Sequence, residues 1–118
     1  MMREIKFQAW DLDAEQMYNW ESIKQLFHEH LDHPRVKVRQ YTGLKDINGR
    51  EIYEGDIVQG SHHYQRDDEI ILIEQQVHYL NGCYMFGNWN AHEYFNKHRN
   101  IEVIGDVYRN PELLGAAE

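Results

Sequence analysis

Turn residues crowd the segment 40–58 and limit it to short strands joined by tight connections. Residues 46–49 contain an Asn-Gly pair, which tolerates the positive φ angles of a tight turn. Residues 54–56 form a second turn motif around Gly55, between the brief run 51–53 and a strand that starts at residue 57. Short strands separated by glycine-containing turns are typical of a small sheet that bends around its own core. The segment therefore favours a barrel or a sandwich.

The N-terminal part predicts a hairpin followed by a short helix. Apolar and polar residues alternate over 5–10, which predicts a strand, and residues 17–20 predict its returning partner. The helix is expected from Ser22, whose hydroxyl can cap free backbone amides, to about His30. A rival interpretation starts one helix near Asp13. It rests on apolar residues at helical spacing, namely Met17, Trp20, Ile23, Phe27 and Leu31.

The rest of the chain is predicted to consist mainly of strands. The sequence predicts a strand over 36–41, a turn that begins at Thr42-Gly43, and an exposed loop over 60–68. The longest strand is expected over 69–80, followed by an Asn-Gly turn at 81–82 and a return strand over 83–89 with a bulge at Gly87. A polar and aromatic segment over 90–100 then precedes a last strand over 101–108 and a brief terminal helix that Asn110 caps and Pro111 begins.

These elements define the expected fold class. We predict a mainly β protein, α+β at its margins: a small, partly open β-barrel of short antiparallel strands with an N-terminal hairpin and one or two short helices. The 118 residues, of which 42 % are hydrophobic, can fill one core. Residues 1–118 are therefore expected to form a single domain.

Composition also bears on the compartment. The single cysteine, Cys83, cannot form an internal disulfide, which fits a reducing environment. No apolar run approaches the roughly 20 residues that a membrane span needs, and the first residues lack the apolar stretch of a signal peptide. We expect a cytoplasmic protein that does not interact with membranes.

The charge balance disfavours nucleic acid as a partner. The formal net charge is −8, whereas affinity for nucleic acid usually comes from clustered lysines and arginines. One local exception is the run in which Arg35, Lys37 and Arg39 alternate with valines, because a strand would place all three cations on one face. These residues are a candidate nucleic-acid face. A solvated outer face is the simpler interpretation.

The histidines and carboxylates include residue types that can act in catalysis or bind metal ions. His28, His30 and His33 lie together in the sequence, but no cysteine pair or HExxH pattern accompanies them, so no metal site is predicted. Glu54 and Asp56 could in principle act as an acid and base pair, but turn bonding explains Asp56 without a substrate.

Cys83 follows an Asn-Gly turn without a nearby base, and we interpret it as a small core residue. The sequence contains no GxSxG, Walker A or GxGxxG motif. We expect no enzymatic activity and no cofactor.

Three ordered blocks of the sequence match a known pattern. QYTGLKD at 40–46, NG at 48–49 and EIYEGDIV at 51–58 closely resemble the core signature of the YopX-like proteins of phages and prophages. IKFQAWD at 5–11 and IEVIGDVYRNPELL at 101–114 resemble the two termini of that family. Gln8 stands where the family often has Arg, and Asp106 stands where Asn is common. The signature residues are Trp10, Asp11, Tyr41, Thr42, Gly43, Leu44, Asp46, Asn48, Gly49, Tyr53, Gly55, Asp56, Gly105, Asn110 and Pro111.

The resemblance implies a mainly β, partly barrel-like domain that tends to form homo-oligomers, is encoded by a mobile element and has no established reaction. Turn geometry and core packing explain the signature residues without a ligand. An aromatic group is expected to serve the core and a subunit interface, since it carries few of the cations that base-stacking surfaces need. It consists of Tyr79, Tyr84, Phe86, Trp89, Tyr94 and Phe95.

We therefore expect a non-enzymatic phage or prophage accessory protein, a homo-oligomer that binds a phage or host protein in the bacterial cytoplasm. The alternatives are a nucleic-acid-binding small barrel that acts through Arg35, Lys37 and Arg39, and, ranked last, a metal-dependent hydrolase.

Overall fold

The computed structural model describes residues 5–63, 70–80 and 82–115. It contains short helices and two antiparallel sheets, so the protein is mainly β, as the sequence predicts. The strands are β1 (Phe7–Asp11), β2 (Gln16–Tyr18), β3 (Val36–Lys45), β4 (Glu51–Tyr53), β5 (Asp56–His63), β6 (Ile70–Leu80), β7 (Cys83–Phe86), β8 (Trp89–Asn90) and β9 (Arg99–Asp106), and the helices are α1 (Trp20–Ile23), α2 (Phe27–Asp32), α3 (Ala91–Lys97) and α4 (Glu112–Gly115).

The first sheet has the strand order β2-β1-β3-β4 and begins with the predicted hairpin. Asp11 makes the β1–β2 turn, because its Oδ1 accepts hydrogen bonds from the amides of Asp13 and Ala14 at 2.9 and 3.0 Å. In the ladder Trp10 lies opposite Met17 on β2 and opposite Lys37 on β3. The preferred hairpin is therefore confirmed, and the rival interpretation of one helix that starts near Asp13 is wrong.

The second sheet has the order β8-β7-β6-β5-β9. β5 lies between β6 and β9 and pairs with both, so its residues are held on two sides. The core forms on the inner face of this sheet. It consists of Ile52, Val58, Val77, Phe86, Tyr94, Ile101 and Val103, with Leu44, Trp89, Ala91 and Phe95 packed against it. The fold is a partly open barrel with short helices at its margins, as predicted.

Several local predictions were wrong. The helical segment begins at Trp20 rather than Ser22, because Asn19 is its cap and accepts the Ser22 amide on its side chain. β3 continues through Thr42 and Gly43 to Lys45, where a turn had been expected, because this part of the strand pairs with β4. The loop expected to start at Gly60 is strand as far as His63; the remainder of that prediction, 64–68, lies outside the described residues.

The segment 90–100, predicted only to be polar and aromatic, forms helix α3 and the start of β9. Asn90 caps α3 through its Oδ1, which accepts the Glu93 amide at 2.8 Å. β7 ends at Phe86, and Gly87 lies in a turn before β8 rather than in a bulge of one continuous strand. None of the helices in the described ranges is long and apolar enough to span a membrane.

Candidate functional site

Two signature elements meet at a buried ion pair between Arg39 on β3 and Asp56 at the start of β5. Their side chains are 3 % and 2 % exposed, and Arg39 Nη1 donates to Asp56 Oδ1 at 2.6 Å. Gln8 on β1 completes the guanidinium contacts, since its Oε1 accepts from Arg39 Nε at 3.0 Å and from Nη2 at 2.6 Å. The pair thus links strands β1, β3 and β5.

Asp56 also organises the turn that precedes β5. Its second oxygen, Oδ2, accepts the backbone amide of Tyr53 at 2.7 Å. The Tyr53 ring covers the pair from one side, with its centroid 5.2 Å from Arg39 Cζ. Burial raises the pKa of Asp56 above its ordinary value, and the charge of Arg39 and the Tyr53 amide oppose that rise. Burial, together with the Glu51 carboxylate, raises the pKa of Tyr53 to about 12.

A second aspartate lies opposite Asp56 across the β5–β9 ladder. Asp106 Oδ1 accepts the amides of Tyr108 and Arg109 at 3.0 and 2.8 Å, and its Oδ2 accepts Arg109 Nε at 2.8 Å. Burial tends to raise the pKa of Asp106, but the hydrogen bonds and charge of Arg109 outweigh burial, and the pKa lies below its ordinary value. The pKa values of Asp56 and Asp106 are therefore shifted in opposite directions, although the two carboxyls are neighbours. Each carboxyl already accepts hydrogen bonds from within the chain.

Two further polar signature side chains, those of Asp46 and Thr42, also bond to backbone. Asp46 Oδ1 accepts the amides of Asn48 and Arg50, both at 2.9 Å, and its Oδ2 accepts the amide of Val103 on β9 at 2.9 Å. Thr42 Oγ1 donates to the carbonyl of Ile52 at 2.7 Å. These contacts tie the turn 46–49 and strand β4 to their neighbours.

The remaining signature residues occupy turns and packed positions. Trp10 is buried and stacks on Tyr108 with ring centroids 6.1 Å apart, and Tyr41 is buried against Tyr53 at 5.4 Å. The glycines at 43, 49 and 55 have φ angles of +87°, +80° and +88°, which side chains rarely adopt. Three members lie at the end of β9 and after it: Gly105, which packs against the Asn110 side chain; Asn110, whose Oδ1 accepts the Asp106 amide; and the exposed Pro111.

The candidate nucleic-acid face is not a continuous exposed surface. Arg39 is buried in its ion pair with Asp56, although Arg35 and Lys37, which alternate with it along the chain, are exposed. Arg35 is exposed but pairs with Asp13, with Nε and Oδ1 3.1 Å apart. Lys37 is exposed. The expectation that all three cations share one solvated face is therefore wrong at Arg39.

The histidines of the helical segment border a small groove of about 290 Å³, which His30 and His33 line together with Asp11, Tyr18, Glu29 and Val36. Within the described parts of the chain, no three His, Cys, Asp or Glu side chains come together in a way that could hold a metal ion.

Cys83 is exposed, so its assignment to the core was wrong. It begins β7, beside the tip of the β6–β7 hairpin.

An open groove of about 490 Å³ lies between the end of β3 and the β6–β7 hairpin. Its lining is largely apolar and aromatic, from Thr42, Leu44, Tyr79, Gly82, Cys83, Tyr84, Asn90, Ala91 and His92. Tyr79 at its edge is 53 % exposed, and the adjacent Leu80 is 50 % exposed. We call Tyr79 and Leu80 the hairpin tip.

Sequence reasoning assigned Tyr79 to an aromatic group of the core and a subunit interface, but it did not single out Leu80 or the hairpin tip as a surface feature. The available signal was Tyr79-Leu80 immediately before the Asn-Gly turn, since a solvated turn is normally flanked by polar residues. The other members of the aromatic group lie in or against the core. Tyr84, Phe86 and Tyr94 are buried, while Trp89 and Phe95 are half-buried against the core. Gln8, the partner of Arg39, carried no sequence signal of that contact.

Comparisons with known proteins place this fold. The crystal structure of protein EF1440 from Enterococcus faecalis matches the chain with a TM-score of 0.67 and 22 % sequence identity, over 96 % of this chain and 99 % of that one. A comparison with curated proteins finds no match. The family model described as YopX protein matches residues 6–115, which include all the signature residues. The chain therefore belongs to the YopX family.

Proposed function

We propose that this protein is a phage or prophage accessory protein of the bacterial cytoplasm that acts by binding protein chains, including copies of itself, without catalysing a reaction. The observation that carries this proposal is the hairpin tip, where Tyr79 and Leu80 are adjacent, apolar and about half exposed beside an open groove. An exposed tyrosine beside a groove suits an interface, because aromatic residues are enriched there.

The chemistry of the tip suits an interface. Tyr79 packs edge-on against the buried Tyr84, with ring centroids 5.0 Å apart. This contact holds the Tyr79 ring in place before any partner binds. An ordered aromatic side chain loses little conformational freedom on binding, which is why tyrosines are enriched among the residues that contribute most to interfaces. Leu80 alternates to the opposite face of the hairpin, so a partner could contact both faces of the tip.

The absence of a catalytic role is supported by the contacts of the buried carboxyls. Asp46, Asp56 and Asp106 accept backbone amides or pair with arginines, as described above. An acid and base pair would need to face a shielded cleft with room for a substrate. These three carboxyls instead stabilise turns and strand contacts, which favours binding over catalysis.

Light scattering coupled to size exclusion tests the proposal. The wild-type chain is expected to elute with a mass above that of one chain, and a Tyr79→Ser, Leu80→Ser double variant is expected to shift towards the monomer mass. The matched control is Leu26→Ser, Leu31→Ser, because these leucines of the helical segment are 54 % and 56 % exposed. The control should keep the wild-type mass.

A strictly monomeric wild type would remove self-association from the proposal. An unchanged mass in the tip variant would show that the tip is not the contact surface. Retention of the wild type on immobilised oligonucleotides at low salt, with loss on Lys37→Glu, would support the nucleic-acid alternative instead.

A further inference from the structure

Three side chains that can bind a metal, two of them soft sulfur donors, lie together on the outer face of the β6–β7 hairpin. His78 on β6 lies directly opposite Met85 on β7 in the ladder, and Cys83 lies two positions before Met85 on the same strand. Alternation along β7 places Cys83 and Met85 on one face, whereas Tyr84 and Phe86 point into the core. The three side chains therefore share the surface away from the core.

The two sulfur atoms are already close enough to bind one ion. Cys83 Sγ lies 3.7 Å from Met85 Sδ. A metal–sulfur bond is about 2.3 Å long, so two sulfur ligands of one ion at tetrahedral to trigonal angles lie roughly 3.8–4.0 Å apart. The sulfurs would have to move by only a few tenths of an ångström.

His78 can supply a third ligand. Directly opposite residues in an antiparallel ladder have Cβ atoms about 4.5–5.5 Å apart, so the His78 imidazole is within reach of the Met85 thioether. Cys83 is exposed, and His78 and Met85 are partly exposed. An ion can therefore reach all three side chains without opening the fold.

The ligand set identifies the kind of ion. Thiolate and thioether sulfur select soft cations, Cu(I) in particular, and a thioether is a poor ligand for Zn²⁺, whose usual ligands are thiolate, imidazole and carboxylate. We propose that His78, Cys83 and Met85 form a three-coordinate binding site for Cu(I). Binding replaces the thiol proton of Cys83 with the metal and involves no electron transfer. The site adjoins the hairpin tip, since Cys83 pairs with Leu80, but its proposal does not rest on the protein-binding function.

Anaerobic titration of Cu(I) against a competing chromogenic chelator measures the affinity. One ion per chain is expected. Direct ligands should contribute at least as much as the outer-shell partners of metal sites, whose loss weakens binding about 10–100-fold, so Cys83→Ser, Met85→Leu and His78→Asn should each weaken binding by at least tenfold. The controls are Met17→Leu on β2 and His28→Asn in α2, which should bind like the wild type. Circular dichroism checks that each variant folds.

The titration separates the proposed site from a reactive thiol. X-ray absorption of the loaded protein should show two sulfur ligands and one nitrogen ligand. If only Cys83→Ser weakened binding, the ion would be held by a free thiol and the proposal would be overturned. Tighter binding of Zn²⁺ than of Cu(I), unaffected by Met85→Leu, would overturn it equally.

Discussion

At the residue scale, Arg39 on β3 bonds both to Asp56 on β5 and to Gln8 on β1, and these contacts hold the three strands in register. A buried ion pair is weak support for net stability, because two charges lose their hydration, but removal of one partner leaves the other charge buried and unpaired. Asp56 cannot simply turn to solvent after such a change, since its other oxygen is held by the Tyr53 amide. The pair therefore fixes the positions of β1, β3 and β5 relative to one another.

We predict that Arg39→Met lowers the free energy of unfolding by about 3–5 kcal/mol at neutral pH, measured by urea denaturation. The physical reason is the uncompensated Asp56 carboxylate that remains in the interior. Lys37→Met, on the same strand but exposed, should change stability by no more than about 0.5 kcal/mol. If the two substitutions lowered the free energy of unfolding equally, loss of the buried Arg39 charge would not be the cause of the destabilisation.

The same variant should respond to pH in a defined direction. Burial raises the pKa of Asp56 above 3.8 in the folded chain, so the folded state takes up this proton more readily than the unfolded state, and stability from this group is lost as pH rises through the folded pKa. Without the opposing Arg39 charge that pKa rises further. The stability difference between Arg39→Met and wild type should therefore be largest at neutral pH and shrink on acidification. A constant difference from pH 7 to pH 4 would contradict this account.

At the element scale, β5 depends on one close approach to α3 and the start of β9. A Cβ at Gly60 would lie 2.9 Å from the Tyr94 hydroxyl, 3.1 Å from His98 Cβ and 3.3 Å from Ile101 Cγ1. Tyr94 and His98 are fully buried and stack with ring centroids 4.2 Å apart, so neither can move aside freely. Strand β5 can lie this close to the helix only where it has no side chain.

We predict that Gly60→Ala destabilises the protein by about 1–3 kcal/mol through overpacking. Gly49→Ala is the comparison, because a Cβ there meets nothing within 4 Å and the cost is only backbone strain at a φ of +80°, about 1–2 kcal/mol. Thermal unfolding gives both values. Near-ultraviolet circular dichroism should change for Gly60→Ala alone, since only that substitution disturbs packed aromatic rings; an unchanged spectrum would argue against the packing explanation.

The elements that could be predicted from sequence are those whose signal is local. The β1–β2 hairpin follows from alternation and a polar turn, whereas helix α3 was missed although Asn90 and Glu93 have the spacing of a capping box. The continuation of β3 through Gly43 depends on its pairing with β4, which no local pattern contains. Burial of Arg39 was equally hidden, because alternation shows that side chains share a face but not where along the strand another part of the chain covers that face.

At the scale of the whole molecule, the two sheets are joined where the turn 46–49 meets β9. The Ile47 amide donates to the carbonyl of Ile101 at 2.8 Å, and Asp46 accepts the amide of Val103. Asp46 thus combines a local turn contact with a contact 57 positions away. The fold class and the family follow from the sequence, but this connection and the exposed hairpin tip required the arrangement of the complete chain.

We predict that Asp46→Ala lowers the free energy of unfolding by about 3 kcal/mol, because three amides lose a charged acceptor and the Val103 amide is left buried. Asp32→Ala removes the same charge from an exposed position and should have little effect. Amide hydrogen exchange supplies the second measurement: protection of β9 should fall more than protection of β1. A uniform loss of protection would mean that Asp46 contributes only to its own turn.

The position of Cys83 gives the unaltered chain a practical advantage for spectroscopy. It is the sole thiol of the sequence and is exposed at the start of β7, beside the hairpin tip. A maleimide spin label or fluorophore would therefore attach at one defined point without any engineered substitution. If copies of the chain associate as proposed, the distances between such labels would report the symmetry of that assembly.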